Sequence, residues 1–178
     1  MSDVQKPFEM IDDFATGRRI PDIGAEANRQ ALERHLVEEK GYAKEEIEID
    51  IPITVTVAGA PYRSKVDLAV RVGGRRVMVA KCAAGALGSR EREVLAAARL
   101  LDDHQIPRAV ASDGADAIVL DTPSGKRIGT GLSAVPDREA AAALAEAEPI
   151  PFPDARRERE RIIFRSFDLE NVNRHIDP

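Results

Sequence analysis

Asp67 and Lys81 are the residues with the clearest capacity for chemistry, because each falls on one of two adjacent strand-like segments. Metal-dependent phosphodiester cleavage needs carboxylates that hold a divalent ion against the scissile phosphate. It also gains from a nearby lysine that orients water and offsets developing charge. A β-hairpin can supply this set: an Asp on the first strand, then an acid and a Lys two residues apart on the second. Here the position two before Lys81 holds Val79, so one expected carboxylate is absent from the pattern.

The elements that would position these residues read as follows. Residues up to Gly24 form an arm or short helix and then a loop. From Ala25 to Lys40 the spacing predicts a helix whose apolar stripe is Ala27, Ala31, Leu32, His35 and Leu36, ended by Gly41. Ile47 to Val57 alternates strictly, which predicts a strand with one apolar face, and Pro52 suits an edge strand or a bulge. After Gly59-Ala60-Pro61, strands over Tyr62–Val72 and Arg75–Cys82 flank Gly73-Gly74 and complete a meander. Ser89 caps a helix to about Asp103, Ala109-Val110-Ala111 is a short buried strand, and Asp116–Asp121 is another. Lys126–Gly129 reads as the exit of a turn, and Pro136–Glu146 as an Ala-rich helix. Helix, three strands, helix and further strands imply an α/β fold: a mixed central sheet flanked by helices. The domain is expected over residues 1–147, with its core at about 25–135. Residues 148–178 form a Pro-rich linker (Pro149, Pro151, Pro153) and a helical tail.

Register tests whether Asp67 can meet Lys81. A two-residue turn at Gly73-Gly74 sets Asp67 opposite Ala80 and opposes Arg71 to Arg76, a repulsive pair. A three-residue loop, Gly73 to Arg75, sets Asp67 opposite Lys81 and Ala69 opposite Val79. The second register is preferred because it avoids the arginine pair.

Bulk properties narrow the setting. The chain has 178 residues, 43% of them apolar but only 4% aromatic, with no Trp, so its core must be aliphatic. The single cysteine, Cys82, rules out an internal disulfide and a multi-cysteine zinc site. The apolar runs are too short to span a bilayer, and the N-terminus lacks a secretory layout, so no membrane association and a cytoplasmic location are expected. The net charge of -5 argues against sequence-blind coating of DNA. Residues 61–110, however, carry 10 Lys/Arg against 5 Asp/Glu, while residues 1–60 carry 7 against 13. A basic middle between acidic flanks is either a solvated mixture or a face for a polyanion.

Glu26-Ala27-Asn28-Arg29-Gln30, Arg63 to Asp67, Val77 to Lys81 and Ala111-Ser112-Asp113-Gly114 together resemble the N-terminal domain of type I restriction enzyme R subunits. The resemblance covers roughly residues 10–135 and implies the PD-(D/E)xK, restriction-endonuclease-like fold. It places the family's metal-site positions on Glu26, Asp67, Val79 and Lys81. By that resemblance Glu26 and Asp67 would hold Mg²⁺, and Lys81 would act beside them in catalysis. The chain departs from the family at Val79. It departs again in the following helix, where Arg90-Glu91-Arg92-Glu93 stands in place of a Gln. Arg29, Arg63, Lys65 and Arg90 are candidates for contacts to nucleic acid.

Plainer roles exist for each residue. Asp67 and Lys81 can be a simple cross-strand ion pair, and an acid at Glu26 is favoured by the helix dipole alone. Arg29 can be solvated or salt-bridged, His35 packed, and Cys82 a buried thiol. His104 and His175 lack partners at metal-ligand spacing. Three functions remain open. The first is a nuclease-fold module with a degenerate motif that binds DNA or a protein partner and cuts poorly or not at all. The second is an active Mg²⁺-dependent endonuclease whose missing acid is relocated, with Glu26, Glu91 or Glu93 as candidates. The third is a structural or regulatory domain that docks a partner or a second copy through Ile162–Phe167.

Overall fold

The computed structural model describes residues 8–170, so His175 lies outside the described residues. A small hairpin comes first, β1 (Met10–Asp12) and β2 (Arg19–Pro21), where an arm or short helix was expected. Strands of three residues are too short for alternation to register. Then follow α1 (Glu26–Glu38), β3 (Ile47–Val57), β4 (Ala60–Val72), β5 (Arg75–Cys82) and α2 (Glu91–Leu100). The chain continues through β6 (Arg108–Ser112), β7 (Ala117–Asp121), β8 (Lys126–Thr130), α3 (Arg138–Glu146) and α4 (Asp154–Leu169). β8 is the last of the further strands and extends over the segment read as the exit of a turn.

β3 to β8 form one six-stranded sheet in sequential order, antiparallel except where α2 crosses over to make β5 and β6 parallel. β3 is an edge strand, which is where Pro52 can forgo a ladder donor. The sheet separates two apolar layers. On one side Leu68, Val70, Met78 and Val110 pack with Leu32 and Leu36 of α1 and Ala141 of α3. On the other, Val66, Ala69, Val79 and Ala109 pack with Val94 and Ala98 of α2 and Phe164 of α4. The fold is therefore α/β, a mixed sheet between helices, consistent with a nuclease-like architecture.

β3 does not keep one apolar face. Ile47 and Ile49 serve the first layer, whereas Ile51, Ile53 and Val55 serve the second. The switch falls at Asp50, whose φ of 52° places it in the left-handed region inside a strand. Asp tolerates that conformation better than most residues, at a cost of about 1–3 kcal/mol. Across from it β4 switches as well, with Val66 in one layer and Leu68 in the other. Regular pairing runs Ile49 to Leu68 and Ile51 to Val66 and skips Asp50 and Asp67, which lie at the same level of the two strands and mark the seam.

The β4–β5 hairpin combines both registers considered above. Gly73 and Gly74, both at positive φ, make a two-residue turn, and Arg71 does stand opposite Arg76. Val70 then pairs with Met78, so Val77 is an extra residue and the register shifts by one. Beyond this bulge Ala69 faces Val79 and Leu68 faces Ala80, the alignment that brings Asp67 toward Lys81. The arginine pair is tolerated because Arg76 donates from Nε to Glu48 at 2.7 Å and from an Nη to Asp102 at 2.6 Å. Arg71 lies 3.6 Å from Glu48 as well.

α1 is seated by its contact with the β6–β7 turn. Gly114, at φ 86°, passes so close that a Cβ there would meet Ala31 Cβ and the Asn28 carbonyl oxygen at 2.8 Å each. Asn28 Nδ2 donates to the Ala83 carbonyl at 2.6 Å, fixing the same helix to the end of β5. Gly114→Ala should therefore destabilise the protein by about 1–3 kcal/mol, from backbone strain and overpacking. Denaturant unfolding checks this, with a loss below half a kcal/mol contradicting it.

Candidate functional site

The face of α1 turned inward carries charge. Its buried residues are Arg29, Gln30, Leu32, Glu33 and Leu36, while Ala27, expected on the stripe, is exposed. Arg29 meets four carboxylates: Glu26 at 2.6 Å, Asp13 at 3.3 Å, Glu33 at 3.6 Å and Asp50 at 3.6 Å. Lys65 adds a second cation to Asp50 at 3.2 Å. Burial alone would lower the Arg29 pKa, but Glu26, Asp50 and Glu33 hold it above the ordinary value. Burial, strengthened by the Asp13 charge, pushes Glu33 up to about 8 against the pull of Arg29.

Across the seam a second cation is internalised. Lys81, at the end of β5, is 3% exposed. Its Nζ lies 2.8 Å from Glu93 of α2, 3.7 Å from Asp67 of β4 and 3.6 Å from Asp168 of α4. Asp67 Oδ2 also accepts from the Cys82 backbone N–H at 2.8 Å. Asp168 accepts from the Tyr62 hydroxyl at 2.6 Å, and Arg90 stands 3.4 Å from Glu93. Burial opposes the ammonium form, yet the charges of Asp67, Glu93 and Asp168 hold the Lys81 pKa above its usual value. Burial lifts Glu93 to about 7, with Lys81 opposing and the neighbouring Asp168 raising it. Cys82 lies between the two clusters. Burial first, then the Asp67 charge, pushes its thiol well above the ordinary range.

Of the residues singled out from the sequence, the structure brings Asp67 and Lys81 together. It places Glu26 with Arg29, in the network on the α1 side. Arg29 is buried, and its guanidinium is taken up by internal carboxylates, which leaves it no free face for a phosphate. Arg63 and Lys65 are exposed on β4, and Arg90 is half-buried. Glu91 pairs with Arg127 on β8, away from Lys81. His35 faces the Leu132 carbonyl at 3.3 Å. Asp13, Glu33 and Asp50 were not anticipated, although Glu33 is four residues from Arg29 on one helix face, a spacing that signals an ion pair. Asp168 had no local signal.

Residues 24–136, more than half of the chain, match the family model described as type I restriction enzyme R protein N terminus (HSDR_N). The chain belongs to this family. No curated protein and no solved structure matches it. No helix among the described residues is long and apolar enough to cross a membrane.

The family's metal chemistry can be tested against the donors present. At the position of the second acid, Val79 is wholly buried in the apolar layer with Val94 and Ala109. Among the described residues no three His, Cys, Asp or Glu side chains form a group that could hold a metal ion. Asp67, Glu93 and Asp168 do converge, but on an ammonium. The residues as arranged do not fit a divalent ion.

Two measurements follow. Lys81→Ala strands buried carboxylates and should destabilise the protein by about 3–5 kcal/mol; a loss under 1 kcal/mol in denaturant unfolding would contradict a compensating role. Glu93 and Glu33 titrate at about 7 and about 8 when folded, above the 4.5 of an ordinary Glu. Between those values the folded protein holds protons that the unfolded chain has released. Stability from these groups must fall as pH rises through this window and level off above it. Thermal melts should show that fall, and Glu33→Gln should flatten it; an unchanged slope in the variant would refute the assignment.

Proposed function

We propose that the chain is a nuclease-fold domain that binds DNA without cutting it, its catalytic motif degenerate and its metal replaced by an internal cation. The observation that carries this reading is Lys81. Its ammonium stands among Asp67, Glu93 and Asp168, and Val79 supplies no carboxylate two residues earlier. In-line cleavage needs a cation that binds a phosphate oxygen and a water together and lowers the pKa of that water. A lysine ammonium has no coordination positions and cannot activate a water in this way. Support for DNA comes from exposed cations on the surrounding surface. Arg63 and Lys65 stand on β4, with Lys65 on the Asp50 side of the seam, and Arg165 of α4 is close enough to act on Tyr62 beside Lys81. Such side chains position a phosphate backbone without reading its sequence.

A second reading has one observation in its favour. Glu93, on the helix after β5, touches Lys81 and could serve as the relocated acid of an active Mg²⁺-dependent endonuclease, with Asp67 as the other carboxylate.

One experiment separates them. The protein is titrated with duplex DNA over a range of salt, and the same substrate is incubated with Mg²⁺ or Mn²⁺. The first reading expects salt-sensitive binding and no cleavage, with Arg63→Ala and Lys65→Ala each weakening binding and lowering its salt dependence by about one counterion. Cleavage that disappears in Asp67→Ala and in Lys81→Ala would establish the second reading. Absence of binding at low salt would remove the first.

A further inference from the structure

Residues 154–169 lie beyond the stretch that matches the family, yet they close the site. The inward stripe of α4 is Glu160, Phe164 and Asp168, spaced four apart and therefore on one face. Two of these three buried positions are acids, an unusual choice for a helix held by apolar packing alone. Each acid meets a cation. Glu160 accepts from Arg99 of α2 at 3.0 Å, and Asp168 reaches Lys81 at 3.6 Å. Between them Phe164 packs edge-on against Tyr62, with ring centroids 6.4 Å apart, and the Tyr62 hydroxyl bonds Asp168.

Asp67 and Glu93, the other two carboxylates at Lys81, come from inside the matched stretch; only Asp168 is delivered by the tail. Upstream, Gln105 anchors the linker, its backbone N–H donating to the Ile150 carbonyl at 2.8 Å and its Nε2 to the Pro151 carbonyl at 3.2 Å. The helix is thus fixed at its entry by Gln105 and at its far end by Asp168. The Asp168 carboxylate meets the ammonium as an ion pair at 3.6 Å, and a phosphodiester oxygen would bring the same charge there.

We propose that α4 is an intramolecular strap, and that Asp168 occupies the place at Lys81 which a phosphate of a bound polynucleotide would otherwise take. The strap must lift for the nucleic-acid backbone to reach Lys81. The phosphate half of this inference rests on the DNA-binding reading above; the strap half does not.

The test uses the full-length chain as wild type, Asp168→Asn, Phe164→Ala and Tyr62→Phe, with two readouts. One is the acylation rate of Lys81, resolved by mass spectrometry against exposed Lys65. The other is the affinity for a short DNA duplex at low salt. Lys81 is expected to be protected in the wild type and to acylate faster in the variants. Duplex affinity is expected to rise about fivefold or more, with the gain abolished when Lys81→Gln is added. Unchanged Lys81 acylation in variants that remain folded by circular dichroism would overturn the strap. Faster acylation with no gain in affinity would overturn the phosphate's place at Lys81. If neither wild type nor variants bind duplex, the DNA reading fails with the phosphate half, and acylation alone decides the strap. Tyr62→Phe, which removes a single hydroxyl, keeps the test decisive if the other two variants fail to fold.

Discussion

An ammonium taken out of water must find its compensation inside the protein, and Lys81 finds it in carboxylates from three separate elements. The cost of desolvating such a charge is several kcal/mol, and in the closed state acids of β4, α2 and α4 offset it together. That requirement ties the order of the strands, the bulge in β5 and the seating of the last helix to one side chain. The same logic repeats on the opposite side of the sheet. There the guanidinium of Arg29 gathers Asp13, Glu26, Glu33 and Asp50 from the N-terminal hairpin, α1 and β3.

The two cations are separated by the seam at Asp50 and Asp67. Two carboxylates side by side on neighbouring strands would repel. Here they are turned apart, Asp50 toward Arg29 and Lys65, Asp67 toward Lys81 and the Cys82 N–H. The left-handed backbone at Asp50 is the local expression of this division, because it lets one strand feed two apolar layers. By the family resemblance, Asp67 is the residue of this seam that would help to hold a divalent ion. In this chain its charge is balanced by residues of the chain itself, and the apolar Val79 fills the remaining position.

Much of this was legible beforehand. The element order from α1 to α3 and the meander follow from alternation, turn residues and spacing. Asp67 meets Lys81 as expected, but through a two-residue turn and a bulge at Val77 rather than the three-residue loop on which that expectation rested. What failed did so for identifiable reasons. The repulsion between Arg71 and Arg76 argues against a two-residue turn, but Glu48 on the neighbouring β3 and Asp102 after α2, both outside the hairpin, neutralise the pair. The helical stripe of α1 was assigned by hydrophobicity, which cannot see that Arg29 and Glu33 are buried because they satisfy each other. Strict alternation in β3 concealed the switch at Asp50, since a single φ change leaves no trace in the pattern. Asp168 is 87 residues beyond Lys81 in the chain. Only the three-dimensional return of α4 brings it to the site.

The claim that Lys81 is the cation of this site is open to direct measurement. Millimolar Mn²⁺ added to isotope-labelled protein broadens nuclear magnetic resonances within a short radius of any ion it deposits. With the ammonium in place, the amide signals of Asp67, Lys81, Cys82 and Glu93 are expected to keep their widths while exposed acidic patches broaden weakly. Selective loss of those four signals at low Mn²⁺ would show that a divalent ion can displace the ammonium, and would contradict the account.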